Sequence, residues 1–157
     1  MDKTGLSHQI TQNFSLGELT RTDTGLPNDP DSKTVSNLTR LASEVLEPIR
    51  ALLWSPLVVH SAYRCKAVNL AVGGARASAH LEGRACDFHP SGDCLIRSEF
   101  QKILESDIPF DRIILEYRGS RYWIHAEVAR EGETPRRKAY LAIENDNGGM
   151  TYREIKR

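Results

Sequence analysis

Cysteine is scarce: Cys65, Cys86 and Cys94 are the only three in 157 residues. An odd count argues against a disulfide framework, and no two are separated by the two-residue gap of a zinc ribbon or a redox pair. Reduced, packed thiols are expected. Charge of one sign is missing too. The 21 basic and 21 acidic side chains cancel, which leaves no electrostatic basis for a nucleic-acid partner or an anionic membrane surface. The longest apolar run, "ALLWSPLVV", is interrupted by Pro56 and is too short to span a bilayer, so no membrane insertion is expected. The opening "MDKTGLSHQITQNF" has no apolar h-region; no signal peptide and cytoplasmic synthesis are the expectation. Repeats and low-complexity blocks are absent as well. Length and composition fit one domain over 1–157, with 1–13 a flexible N-terminal arm. No sequence feature fixes an oligomeric state.

What is present has clear periodicity. Ser15 and Glu18 have capping-box spacing and predict a short helix at "NFSLGELT". "TGLPNDPDS" reads as a loop. Apolar residues at Val35, Leu38, Leu41, Val45, Leu46, Ile49 and Leu53 follow helical spacing, with Pro48 expected to kink or weaken the last turns. "PLVVHSAYR" has strand composition, "KAVNLAV" is one or two helical turns ended by Gly73-Gly74, and "RACDFH" is a short strand. "SGDCLIRSEFQKILES" predicts an Asp- or Ser-capped helix. "DRIILEY" and "YWIHAEVA" are strands joined through Gly119-Ser120, where glycine suits the positive φ of a type II′ turn. "KAYLAIE", "DNGGM" and "TYREI" form a further hairpin. Helices mainly precede a set of antiparallel strands, so the class is α+β.

The hairpin fixes a geometry. With Gly119-Ser120 as the turn, Glu116 opposes Trp123, and Ile114, Glu116, Trp123 and His125 share one face of the ribbon. Glu116 is then a diagonal neighbour of His125, within reach of a bound water. In "HLEGRACD", His80 precedes Gly83, which permits a sharp turn, and Asp87 lies on the strand after it. A catalytic zinc site takes three such ligands and keeps one position open. On the residues alone, a His or Asp beside a turn, such as His80 and Asp87, is more often a solvated or capping group than a metal ligand.

"SAHLEGRACD" resembles the Ser-x-His-x-x-Gly-x-Ala-x-Asp signature of the zinc D-Ala-D-Ala metallopeptidases, with Ser78, His80, Gly83, Ala85 and Asp87 at the defined positions. "SAYR" resembles the strand end of that family, and "WIHAEV" the strand bearing its last zinc histidine. "NFSLGELTRTDTG" and "LTRLASEVLEPIR" are similar to a single-domain, phage endolysin-like subgroup, and the likeness fades after about Ala129. Many relatives place the catalytic acid two or three residues before the final histidine, where this chain has Trp123 and Tyr122. "FDRIILEYRGSRYWIH" is instead similar to the hedgehog signalling domain, which shares the zinc fold and carries a glutamate on the preceding strand; Glu116 matches it. Cys65 also departs, standing where relatives usually carry a small residue.

The resemblance implies a hedgehog/DD-peptidase-like α+β fold, one Zn2+ per chain on His80, Asp87 and His125, and hydrolysis of an amide bond in bacterial peptidoglycan stem peptides. Both a D-Ala-D-Ala carboxypeptidase and an L-Ala-D-Glu-type endopeptidase fall within it, acting at the bacterial cell wall and compatible with a phage-encoded origin. Glu116 is the expected general base, with a cross-strand salt bridge to Arg118 or Arg121 as the plainer role. Arg64, read on one strand face with His60 and Ala62, suits an oxyanion or substrate carboxylate, or else a structural ion pair. Ser78 is expected to hold the ligand loop. His89 lines the cleft, and Trp123 walls the site or simply packs in the core. Cys86 faces away from Asp87, and no role is assigned to His8 or His60. The rival reading is a non-catalytic zinc module of the same fold, binding a partner or serving as a phage structural protein.

Overall fold

A computed structural model of the chain describes residues 8–156. Residues 1–7 of the expected N-terminal arm lie outside the described residues. Over 8–13 the chain is tied to the body. Ile10 packs against the core, and Thr11 Oγ1, Asn13 N and Asn13 Nδ2 all donate to the Glu47 carboxylate at 2.7–2.8 Å.

Helix α1 (Leu16–Thr20) starts as its cap predicts, with Ser15 Oγ accepting from Glu18 N. Asp31 caps α2 (Ser32–Leu41) through Thr34 N. The regular α-helical pattern is interrupted before Pro48: Ala42–Leu46 forms a π-helical turn, and α3 (Glu47–Leu53) continues from it. Proline has no N–H to give to the carbonyl four residues back, and its ring crowds that carbonyl. The turn before it widens, so that Glu47 N bonds Ala42 O, five residues back. The apolar stripe survives, and Leu38, Leu41, Val45, Leu46 and Ile49 are all fully buried.

Strand β1 (Leu57–Ser61) leads through a loop to α4 (Lys66–Ala71). A 3-10 turn (Ala79–Glu82) then opens onto β2 (Ala85–Pro90). Helix α5 (Ile96–Glu105) begins later than read, with Leu95 at its N-cap position and no side-chain cap; the expected Asp or Ser cap is not made. Strands β3 (Arg112–Arg118) and β4 (Arg121–Glu127) form the hairpin, and β5 (Lys138–Glu144) with β6 (Met150–Glu154) forms the second.

The six strands make one sheet in the order β1-β2-β4-β3-β5-β6. Every pairing is antiparallel except β3 with β5. The class is α+β with a mainly antiparallel sheet, as expected. Alternation divides the sheet chemically. Cys86, Phe88, Ile113, Leu115, Ile124 and Ala126 point into the core shared with α2, α3 and α5. Each Leu, Ile or Phe buried this way contributes about 1.5–3 kcal/mol relative to exposure. The intervening residues, Asp87, His89, Ile114, Glu116, Trp123 and His125, line an open cleft on the other face.

Candidate metal centre

The hairpin register is the one read from the sequence: Glu116 pairs with Trp123, Tyr117 with Tyr122 and Arg118 with Arg121. Gly119 has φ +58°. Two positions along, His125 opposes both Ile114 on β3 and Asp87 on β2. Asp87 and His125 are thus neighbours across the ladder, and their side chains rise from the same face.

His80 arrives from the 3-10 turn. Ser78 Oγ accepts from His80 N at 3.3 Å and caps that turn. Gly83 ends it at φ +69°, where a Cβ would stand 2.9 Å from Thr34 Cγ2. Only glycine both adopts that conformation without cost and fits against α2. The ligand atoms of His80, Asp87 and His125 all lie within 4.8 Å of one another.

Each ring is oriented by a second hydrogen bond. His80 Nδ1 donates to Ala62 O at 2.6 Å, which turns Nε2 toward Asp87 Oδ2, 3.3 Å away. His125 is held the other way round, with Nε2 2.8 Å from Glu127 Oε1 and Nδ1 2.8 Å from Asp87 Oδ1. The site is strongly polarised. Burial lowers the pKa of His80, against the pull of Asp87. For His125, burial is outweighed by hydrogen bonds to Asp87 and Glu127, which lift its pKa to about 10. Burial alone would raise Asp87; the charges and hydrogen bonds of the two imidazoles hold it well below the usual carboxylate range. Two imidazoles and a carboxylate, converging with their other hydrogen-bonding atoms already engaged, fit the donor set of a divalent transition metal.

Glu116 is half-buried on the cleft face. Desolvation, then repulsion from Asp87, raise its pKa. The cross-strand salt bridge is not made. Arg118 pairs with Glu144 at 3.7 Å and Arg121 lies 5.9 Å over the Trp123 ring.

Arg64 reaches the site by a different route from the one read. A bulge between Val59 and Ser61 breaks the alternation, and the strand ends at Ser61. His60 is exposed and Ala62 fully buried, so no common face exists. Arg64 sits in the following loop. It donates from Nη2 to Asp87 Oδ2 and from Nε to Ser61 Oγ, both at 2.8 Å. The clamp on that loop is Asn28, 8% exposed, which bonds Thr20 O, Tyr63 O and Cys65 N at 2.7–2.9 Å. The "TGLPNDPDS" loop therefore has a positioning role that composition alone did not disclose.

His89 lines the cleft and pairs with His60, Nδ1 to Nε2 at 2.6 Å with the rings stacked at 4.7 Å. Sequence reading assigned His60 no partner, because a bulge is invisible to period-two counting. Trp123 walls the cleft, and its Nε1 is buried without a hydrogen-bond partner. Cys86 is fully buried on the core side, its thiol pKa pushed well up by desolvation, and all three cysteines are free. Glu127 was missed altogether. Counting two residues on from His125, on the same face, would have found it.

The cleft over this cluster has a volume of about 1200 Å³ and is open to solvent. Among the described residues, no helix is long and apolar enough to cross a membrane. No curated protein matches the sequence. The profile of the peptidase M15 family, which are metallopeptidases, matches residues 12–127, the span that contains every candidate site residue. The chain belongs to the peptidase M15 family.

Proposed function

We propose that the protein is a zinc-dependent peptidase that hydrolyses an amide bond in bacterial peptidoglycan stem peptides, as a D-Ala-D-Ala carboxypeptidase or an L-Ala-D-Glu-type endopeptidase, acting at the cell wall. The observation that carries the reading is the convergence of His80, Asp87 and His125 at the floor of an open cleft, with Glu116 on the same face. Family membership supports the chemistry. Zinc follows from the mixed imidazole and carboxylate donors. A metal ion held by these residues supplies Lewis acidity, polarising the scissile carbonyl and acidifying water.

The chain's own groups supply the rest. Glu116 accepts a proton from the attacking water at its carboxylate and returns it to the leaving amine. Its raised pKa suits the second transfer, since a carboxyl that holds its proton more tightly remains a competent acid nearer neutral pH. Arg64 is fixed by Ser61 and Asp87 through Nε and Nη2, and its Nη1 has no protein partner among the described residues. That remaining donor is suited to the oxyanion that develops on the substrate. Trp123 offers an apolar wall and an uncommitted indole N–H.

The test is direct. Zinc-loaded protein is incubated with defined muropeptides and the products are weighed. Release of D-Ala or cleavage within the stem, stopped by a chelator and restored by zinc, is expected. No cleavage across several stem chemistries would overturn the reading in favour of a non-catalytic zinc module.

A further inference from the structure

Glu127 is 2% exposed, two residues beyond His125 on the same face of β4. A carboxylate this deep needs full compensation. Its Oε1 receives three donors: His125 Nε2 at 2.8 Å, Arg112 Nε at 3.0 Å and Arg112 Nη2 at 2.5 Å. Arg112 is its direct partner across the β3–β4 ladder. The backbone there is fixed as well, since Asp111 N donates to Glu127 O at 2.7 Å and Val128 N to Arg84 O at 2.9 Å. The acceptor that meets His125 is therefore held on rigid strands.

A neutral imidazole carries one proton, and the nitrogen that keeps it cannot ligate a metal. His80 and His125 solve this in opposite senses, His80 spending Nδ1 on Ala62 O and His125 spending Nε2 on Glu127. The contact with Ala62 O is set by backbone. The contact with Glu127 depends on one side chain.

We propose that Glu127 is the positioning residue of the metal centre: its buried carboxylate holds the proton of His125 on Nε2 and so presents Nδ1 as the ligand atom. The inference rests on the reading that His80, Asp87 and His125 hold zinc. A merely structural Glu127 would instead serve as the partner of Arg112, and the two accounts separate experimentally.

Zinc dissociation constants are measured by chelator competition for the wild type, Glu127→Gln and Arg112→Met, alongside melting of the metal-free proteins. Loss of an outer hydrogen-bond partner weakens metal affinity by about 10–100-fold, which is expected for Glu127→Gln, whereas Arg112→Met, which spares the His125 contact, stays within about threefold of wild type. Equal zinc affinity in all three proteins, with melting lowered equally in both variants, would reduce Glu127 to an ion-pair partner and overturn the proposal. A second measurement needs no variant. In the zinc-loaded wild type, nitrogen NMR should find the His125 proton on Nε2; a proton on Nδ1 overturns the proposal whatever the variants do. Failure of the wild type to take up zinc would remove the underlying site, and is recognised separately because it appears before any variant is compared.

Discussion

Glu116 and His125 stand on one face of adjacent strands, two ladder positions apart, since Glu116 pairs with Trp123 and His125 with Ile114. A carboxylate in that position can serve a water at the metal without ligating the metal itself. Glu116 is not among the residues whose ligand atoms converge. Glu116→Gln should therefore retain zinc at wild-type stoichiometry and lose about 10²–10⁴-fold in kcat, the usual contribution of a positioned acid–base group. Muropeptide kinetics combined with metal analysis checks this. Full turnover in the variant would remove Glu116 from the mechanism.

Gly83 links the turn that carries His80 to the strand that carries Asp87. At φ +69° an added Cβ would lie 2.9 Å from Thr34 Cγ2 and 3.0 Å from Thr34 O. Gly83→Ala meets both a disfavoured backbone conformation and overpacking against α2, together a loss of about 1–3 kcal/mol. Urea unfolding of the metal-free protein should show it, with weaker zinc binding because the two ligands no longer keep their spacing. An unchanged midpoint would mean that the close approach to α2 does not exist.

Glu47 predicts a pH dependence away from the metal. Burial raises its carboxyl, but hydrogen bonds from Asn13 and Thr11 outweigh burial and the net pKa lies below the ordinary 4.5. A carboxyl depressed in the folded state stabilises the fold above its unfolded pKa, and that contribution is lost as pH falls through the folded value. At neutral pH, Glu47→Gln should be less stable by about 1–2 kcal/mol, a figure already discounted for partial exposure. The gap should close as pH falls below the ordinary 4.5 and through the depressed folded value, where the wild-type carboxyl protonates. Denaturant melts at both pH values test it; a gap that persists in acid would show that the hydrogen bonds do not depend on the charge.

Much of this site was legible because β-structure has a simple period. A two-residue turn fixed the pairing of Glu116 with Trp123, and alternation then placed His125 on the face of Glu116, whereas Asp87 was joined to them only through the family resemblance. Arg64 was misplaced for the complementary reason. The bulge after Val59 shows only in the pairing register with β2, which no side-chain pattern announces. The π turn before Pro48 was half legible: the missing donor could be seen, but whether the helix would kink or widen depended on keeping Val45, Leu46 and Ile49 in the core. Asn28 and Glu127 went unnoticed because each acts through contacts distant in the chain or along a face that was not followed to its end.

The claim on which everything else depends is that His80, Asp87 and His125 bind one metal ion. Anomalous diffraction at the zinc edge, on crystals of the zinc-loaded protein, tests it most directly. The account predicts a single strong peak bonded to His80 Nε2, a carboxylate oxygen of Asp87 and His125 Nδ1, with a remaining vertex open to the cleft. A peak elsewhere, or a fourth protein ligand closing that vertex, would contradict it.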